Sequence, residues 1–448
     1  MKYLLHTYGC QMNVRDAEAV AACLEAAGHL PAIDEDDADV IIVNTCSVRG
    51  KAEDKAVGEL GLLCAGKRTA PHRIVGVMGC MAQRHGGALL QKLPLLDFVA
   101  GTRQQQTIPA LLSRLAAGER GILLLDDPAA TPRVPDAHLP GAINAFVTIL
   151  LGCNRRCAYC VVPDVRGAEH SRPAKDILDE VRQLALRGVR EVTLLGQSVM
   201  NYGRSNPVWE HAAPSPGGFR EDLPRLLEAV GAIPGIRRIR FTSGHPSGCT
   251  DELVRAMRDI PKVCPHLHLP VQSGSDRMLG LMRRGYTSVQ YLDAVARLRA
   301  ALPEFALTSD VIVGFPSETE ADFEATRRLM ETAAFDNTYI FKYSSRPKTP
   351  AAAMQDDVPA AEKMRRNRLL LDDQDVRGQR LNEACVGRTL DVLVEGVSLR
   401  NDQRWSGRSP GNKVVVFERR PPIAPGDLVP VTITRAGPQV LYGEVKNA

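Results

Sequence analysis

Short apolar runs separated by amphipathic stretches set the rhythm of the first part of the chain. Lys2–Thr7, Asp39–Val43 and Arg73–Val77 read as strands. Arg15–Ala27 reads as an amphipathic helix, and an Ala-, Glu- and Leu-rich helix lies between the second and third strands. Continuous apolar runs alternating with helices predict a parallel sheet covered on both faces. An Ala-, Pro- and Asp-rich stretch, Asp126–Pro140, reads as a linker.

A longer α/β segment follows. Its strand candidates are Ala145–Leu150, Glu191–Leu195, Ile236–Phe241, His266–Leu269, Leu307–Val313 and Asn337–Phe341, with helices such as Ser171–Arg187 and Glu318–Thr332 between them. Six β/α steps predict most of a barrel, with an open six-strand sheet as the alternative. A charged helical run, Ala360–Leu381, leads to short strands at LDVLVEG, KVVVFE and LVPVTITR, a small all-β module. The expected division is 1–125, 139–376 and 377–446.

Composition narrows this picture. With 448 residues the chain is too long for one ordinary core. Hydrophobic residues make up 44% and charged residues 24%, ordinary for a soluble protein, and no apolar run is long enough to span a membrane. The start, MKYLLHTYGC, does not read as a secretory signal, so a cytoplasmic monomer is expected. The net charge of +4 decides nothing about nucleic acid, but from Arg377 onward 11 Lys or Arg face 7 Asp or Glu. That excess suits RNA, or an ordinary solvated surface.

The 11 cysteines carry the chemistry. In the cytoplasm they read as metal ligands, reactive thiols or small buried hydrophobes, not as a disulfide framework. Cys153, Cys157 and Cys160 lie in LGCNRRCAYCVVP, just past a predicted strand. One loop presents three thiolates and leaves a fourth position open. That suits an iron–sulfur cluster that binds a ligand such as S-adenosylmethionine; a structural zinc site, or one catalytic cysteine with two bystanders, remains the alternative. Cys10, Cys46 and Cys80 each follow one strand of the first segment, where loops of α/β sheets gather ligands. Gly9 and Gly79 leave room for close approach there. These three are either a second metal site or buried apolar cysteines. Cys23, Cys64, Cys249, Cys264 and Cys385 read as core or incidental.

TYGCQMNVRDAE, NTCSVRGKAEDK, GCMAQR, GCNRRCAYCVVPDVRGAEHSRP, LLGQSVMNYG, HLHLPVQSGSDRML, SDVIVGFPSETEADFE and YSSRPKTPAA together closely resemble the radical-SAM methylthiotransferases. Gln11, Met12 and Asn13 side with the branch that acts on isopentenyladenosine in tRNA, not with those modifying threonylcarbamoyladenosine or a ribosomal protein. The resemblance implies three domains: a methylthiotransferase domain, a radical-SAM partial (β/α)6 barrel and an RNA-binding TRAM domain. It implies two 4Fe–4S clusters, one on Cys153, Cys157 and Cys160, the other on Cys10, Cys46 and Cys80. Two molecules of S-adenosylmethionine are then used per turnover: one methylates sulfur on the second cluster, the other is cleaved at the first to a radical that attacks carbon 2 of the adenine. An external electron donor such as flavodoxin or ferredoxin and a sulfur or iron–sulfur supply system are implied as partners, with the tRNA anticodon stem-loop as substrate. Two departures stand out: GQNVN reads Gly196-Gln197-Ser198-Val199-Met200, and FTTSHP has Gly244 in place of its serine.

Gln197, Ser243, His268, Gln272, Asp310 and Arg346 lie at or near predicted strand ends and are candidates for holding cofactor or base; helix capping is the alternative for each. Arg166, Glu169 and Arg172 are placed to order the cluster loop or to reach a nucleotide. Gly314 and Pro316 read as turn residues, and Ser317 with Glu320 reads as a capping box. Arg404, Trp405 and Arg408, in a turn-like QRWSGRS, are candidate RNA contacts, with core packing the alternative for Trp405.

Overall fold

The computed structural model describes residues 1–47, 50–127, 136–211 and 213–445. The first segment forms a six-stranded parallel sheet in the spatial order Leu30–Pro31, Lys2–Tyr8, Val40–Thr45, Ile74–Gly79, Phe98–Ala100, Ile122–Leu124. Val40–Thr45 and Ile74–Gly79 are buried along their whole length. Apolar clusters on both faces explain this: Leu24, Ile42 and Leu112 on one, Ile41, Leu60 and Val75 on the other. The three strands expected from the apolar runs are present, and three short ones flank them.

The second segment has two three-stranded parallel sheets. Asn144–Thr148, Glu191–Leu195 and Arg238–Phe241 make one; His266–His268, Ala306–Val313 and Asn337–Lys342 make the other. A single bridge, Ile239 to Val263, links their facing edges. Helices such as Ala174–Leu186 and Glu320–Ala333 pack outside, giving a partial barrel. The capping box lies two residues later than expected: Thr319 caps the helix, and the Asp322 carboxylate accepts from the Thr319 amide. Ser317 has a left-handed φ of 64° and donates its amide to Asp357 instead.

The helix Ala360–Glu383 leads without a break into a closed five-stranded barrel. All of QRWSGRS but its final Ser409 is strand, within Asn401–Arg408, and not a turn. The alternation of the strand sends Trp405 into the barrel core with Phe417 and Val431, which decides for core packing over RNA contact. Arg408 points toward Glu395, 3.2 Å away, while Arg404 is exposed. Arg238 and Arg240 donate to the carbonyls of Asp391, Arg408, Ser409 and Pro410, so the small barrel closes the floor of the larger one.

Residues 128–135 of the expected linker lie outside the described residues. Its end is not a passive tether. His138 is buried between Glu18 of the first segment (3.1 Å) and Glu180 of the partial barrel (2.7 Å). Burial pushes the imidazole pKa down, but the bonds to Glu18 and Glu180 win and hold it above its ordinary value. The stabilisation is therefore complete below about pH 6.5 and is lost as pH rises through the raised value. His138→Gln should weaken the contact by about 3 kcal/mol at low pH. Thermal melts should show the largest gap from the parent in mild acid, narrowing as pH rises.

Candidate active site

Cys153, Cys157 and Cys160 occupy the loop after the first barrel strand. The loop folds as it does because Gly152 has φ 77° and lies so close to Ala168 that a Cβ would meet its carbonyl oxygen at 2.0 Å. The Cys153 amide donates to Gly167 and the Ala158 amide to Met282, fixing the loop at both ends. Burial pushes the Cys160 thiol up to about 12 and the Cys153 thiol up as well. A thiolate is unfavourable there unless a cation neutralises it, and a bound metal does that.

Two arginines frame this loop. The Arg284 guanidinium donates to the Cys157 sulfur at 3.3 Å, and Arg155 lines the same wall and donates to Ser247 at 3.0 Å. Neither stands out in the sequence, since an Arg-Arg pair reads as solvated charge. Arg166, Glu169 and Arg172 are buried and held by partners within the protein: Arg166 pairs with Asp16 (2.6 Å), Glu169 accepts from Asn201 (2.9 Å) and Arg172 pairs with Glu180 (2.6 Å).

Cys10, Cys46 and Cys80 sit at the carboxyl ends of three adjacent strands, Lys2–Tyr8, Val40–Thr45 and Ile74–Gly79. Gly9 permits the approach, since a Cβ there would lie 2.8 Å from that of Cys46. Asn13 braces the site, accepting from the Cys10 amide (3.3 Å) and donating to Asn44 (3.1 Å). A hydrogen bond from Cys46 holds the Cys10 thiol down at about 6; burial opposes this and the Arg166 charge assists it. Burial raises the Cys80 thiol, with Arg166 partly offsetting it. None of the 11 cysteines is in a disulfide. Each triad thus offers three sulfurs beside a buried guanidinium, a donor set that fits an anionic iron–sulfur cluster.

Both triads line one cavity of about 930 Å³. Gln197, Ser243, His268, Gln272 and Asp310 line it too. Gln197 accepts from the Gly152 amide, while its buried Nε2 has no partner among the described residues. Ser243 and Gln272 hold left-handed φ values of 60° and 72°, strain of the kind that collects at ligand sites. His268 lies 3.5 Å from Asp310 and 3.0 Å from Thr308. Arg346 is not on the cavity wall; its guanidinium faces Glu53 of the first segment at 3.7 Å. The two sequence departures meet: the Met200 sulfur accepts from the His245 amide (3.3 Å), and its methyl lies 3.2 Å from where a Gly244 Cβ would stand. Below, Glu191, Arg240, His266 and Lys413 continue a polar lining to the floor; of these only His266 lies in a quoted motif, HLHLPVQSGSDRML.

A partial barrel with a three-cysteine loop after its first strand defines a radical-SAM enzyme, and family models agree. Residues 147–330 match the radical SAM superfamily, residues 2–101 the uncharacterized protein family UPF0004, and residues 383–446 the TRAM domain. A tRNA-2-methylthio-N(6)-dimethylallyladenosine synthase of Opitutus terrae is 44% identical over 99% of this chain and 97% of its own length. Its counterpart in Akkermansia muciniphila is 43% identical over 99% and 98%. The chain belongs to the family of tRNA-2-methylthio-N(6)-dimethylallyladenosine synthases. The radical S-adenosylmethionine methyltransferase TsrM of Kitasatospora setae, solved with tryptophan and a SAM analogue, shares the fold alone: TM-score 0.56, 14% identity, 89% of this chain and 79% of that one. No described helix is long and apolar enough to cross a membrane.

Proposed function

We propose that this chain places a methylthio group on carbon 2 of N6-isopentenyladenosine at position 37 of the tRNA anticodon loop. One observation carries the reading: two separate cysteine triads open onto one cavity. A single site would suffice to cleave S-adenosylmethionine; a second sulfur-rich site on the same cavity has a use when sulfur itself is delivered.

In this reading residues 1–125 hold the auxiliary cluster on Cys10, Cys46 and Cys80, residues 139–376 form the radical-SAM barrel, and residues 377–446 grip RNA. Bound at the two triads, 4Fe–4S clusters supply reductive cleavage of S-adenosylmethionine at one and the sulfur for transfer at the other. The chain's own part is placement. Arg284 and Arg155 balance the charge at the Cys153–Cys160 loop. Gln197, its Nε2 without a partner among the described residues, is positioned to hold a polar group of the cofactor. His268 and Asp310, lower on the wall, are positioned to orient cofactor or base. The base must leave its stack to enter, and an anticodon loop allows that at small energetic expense.

Two molecules of S-adenosylmethionine per turnover, a low-potential donor such as flavodoxin or ferredoxin, and a sulfur or iron–sulfur supply complete the scheme, in the cytoplasm and with the chain as a monomer. The test is anaerobic reconstitution followed by mass spectrometry of the products. Isopentenylated tRNA should gain a methylthio group. Gain only on threonylcarbamoylated tRNA or on a ribosomal protein would replace the substrate assignment.

A further inference from the structure

We propose that Arg284 sets the reduction potential of the cluster on Cys153, Cys157 and Cys160, raising it through a buried positive charge and an N–H···S hydrogen bond to Cys157. This rests on the functional reading above, which puts a cluster at that loop.

Arg284 lacks a counter-ion of its own among the described residues. It is 7% exposed, and among the described residues it has no carboxylate partner. Its bonds run to neutral oxygens: Nε to the Tyr286 hydroxyl (3.2 Å), Nη2 to the Pro270 carbonyl (3.1 Å), and Nη1 to the Tyr159 hydroxyl (3.4 Å). The remaining contact of Nη1 is the Cys157 sulfur at 3.3 Å. A buried, unpaired guanidinium is strongly unfavourable, so an anion is required where it points. Arg155, on the same wall, adds repulsion, which Glu169 and negative charge on Cys153 and Cys157 offset. The tyrosines and the Pro270 carbonyl fix the planar fork, so its aim does not depend on a flexible stem.

A fixed cation and a hydrogen bond to a ligating sulfur both favour the more negative, reduced state of a cluster. The step is a single electron transfer: a low-potential one-electron donor is oxidised, the cluster is reduced, and Arg284 neither gains nor loses a proton. Arg284 is thus a positioning and tuning residue, not one that touches the reacting base.

The experiment is an anaerobic potentiometric titration followed by electron paramagnetic resonance. Full-length protein is used with Cys10, Cys46 and Cys80 replaced by alanine, so that one cluster is observed. Arg284→Gln should make reduction at least tenfold less favourable, about 59 mV for one electron. Arg284→Lys keeps a charge but loses the fork, and should shift the potential the same way by less. An unshifted Arg284→Gln overturns the inference. If Arg284→Gln takes up no cluster, Arg284→Lys decides, and a parental potential there overturns it. A parent protein that takes up no iron at this loop overturns the functional reading and this inference together.

Discussion

Replacing Cys157 by alanine should abolish reductive cleavage of S-adenosylmethionine. The expected fall is at least ~10³-fold, about 4 kcal/mol of barrier. Cys157 is the middle sulfur of its loop and the one that Arg284 faces. Its loss leaves two thiols where three are needed to hold a cluster, and it strands the buried guanidinium without an anion. The loop itself should persist, because backbone bonds from Cys153 to Gly167 and from Ala158 to Met282 fix it. The check is chromatographic: 5′-deoxyadenosine released under strong reductant should fall to background while the auxiliary triad still takes up iron.

Cys46→Ala should have the complementary effect. Cys46 is fully buried at the end of Val40–Thr45, and a smaller side chain there leaves the sheet intact. Cleavage of S-adenosylmethionine should stay within about tenfold of the parent, while methylthio product falls by ~10³-fold or more. Nucleoside mass spectrometry of the tRNA, paired with the 5′-deoxyadenosine assay, reads both numbers from one reaction. Equal loss of both activities in the two variants, with folds and the other cluster intact, would contradict a division of labour between the triads.

The two triads were legible in the sequence for different reasons. Cys153, Cys157 and Cys160 are close enough for one loop to bring them together, so spacing alone grouped them, with a shared metal or one catalytic cysteine as the readings. Cys10, Cys46 and Cys80 are joined only by the sheet, and the clue was that each follows an apolar run. The long buried strands stood out because both faces are covered; Phe98–Ala100 and Ile122–Leu124 are too short to carry a period. Arg284 and Arg155 were not legible, because a charged residue in an Arg-rich run gives no sign of burial. His138 was hidden in the same way, in a stretch whose composition spoke for a linker. For Trp405 the structure bears out core packing, the alternative reading, while the turn reading failed because QRWSGRS is polar although its alternation is that of a strand with one inward face.

The charged residues around the two triads thus come from elements far apart in the chain. Arg284 follows the helix Asp276–Leu281, Arg166 reaches from the helix Val162–Arg166 to Asp16 beside the second triad, and Glu180 meets His138 and Arg172. These contacts place the two sulfur sites on a common wall, and the proposed chemistry requires that both act on one bound base.

The most direct test is to mix Cys157→Ala and Cys46→Ala proteins, each reconstituted and each retaining one intact triad. They are supplied with isopentenylated tRNA, S-adenosylmethionine and reductant, beside the parent protein. If both triads must face the same cavity of one chain, the parent makes methylthiolated nucleoside and the mixture makes none, although the Cys46→Ala member still cleaves S-adenosylmethionine. Product from the mixture at a rate comparable with the parent would contradict the account.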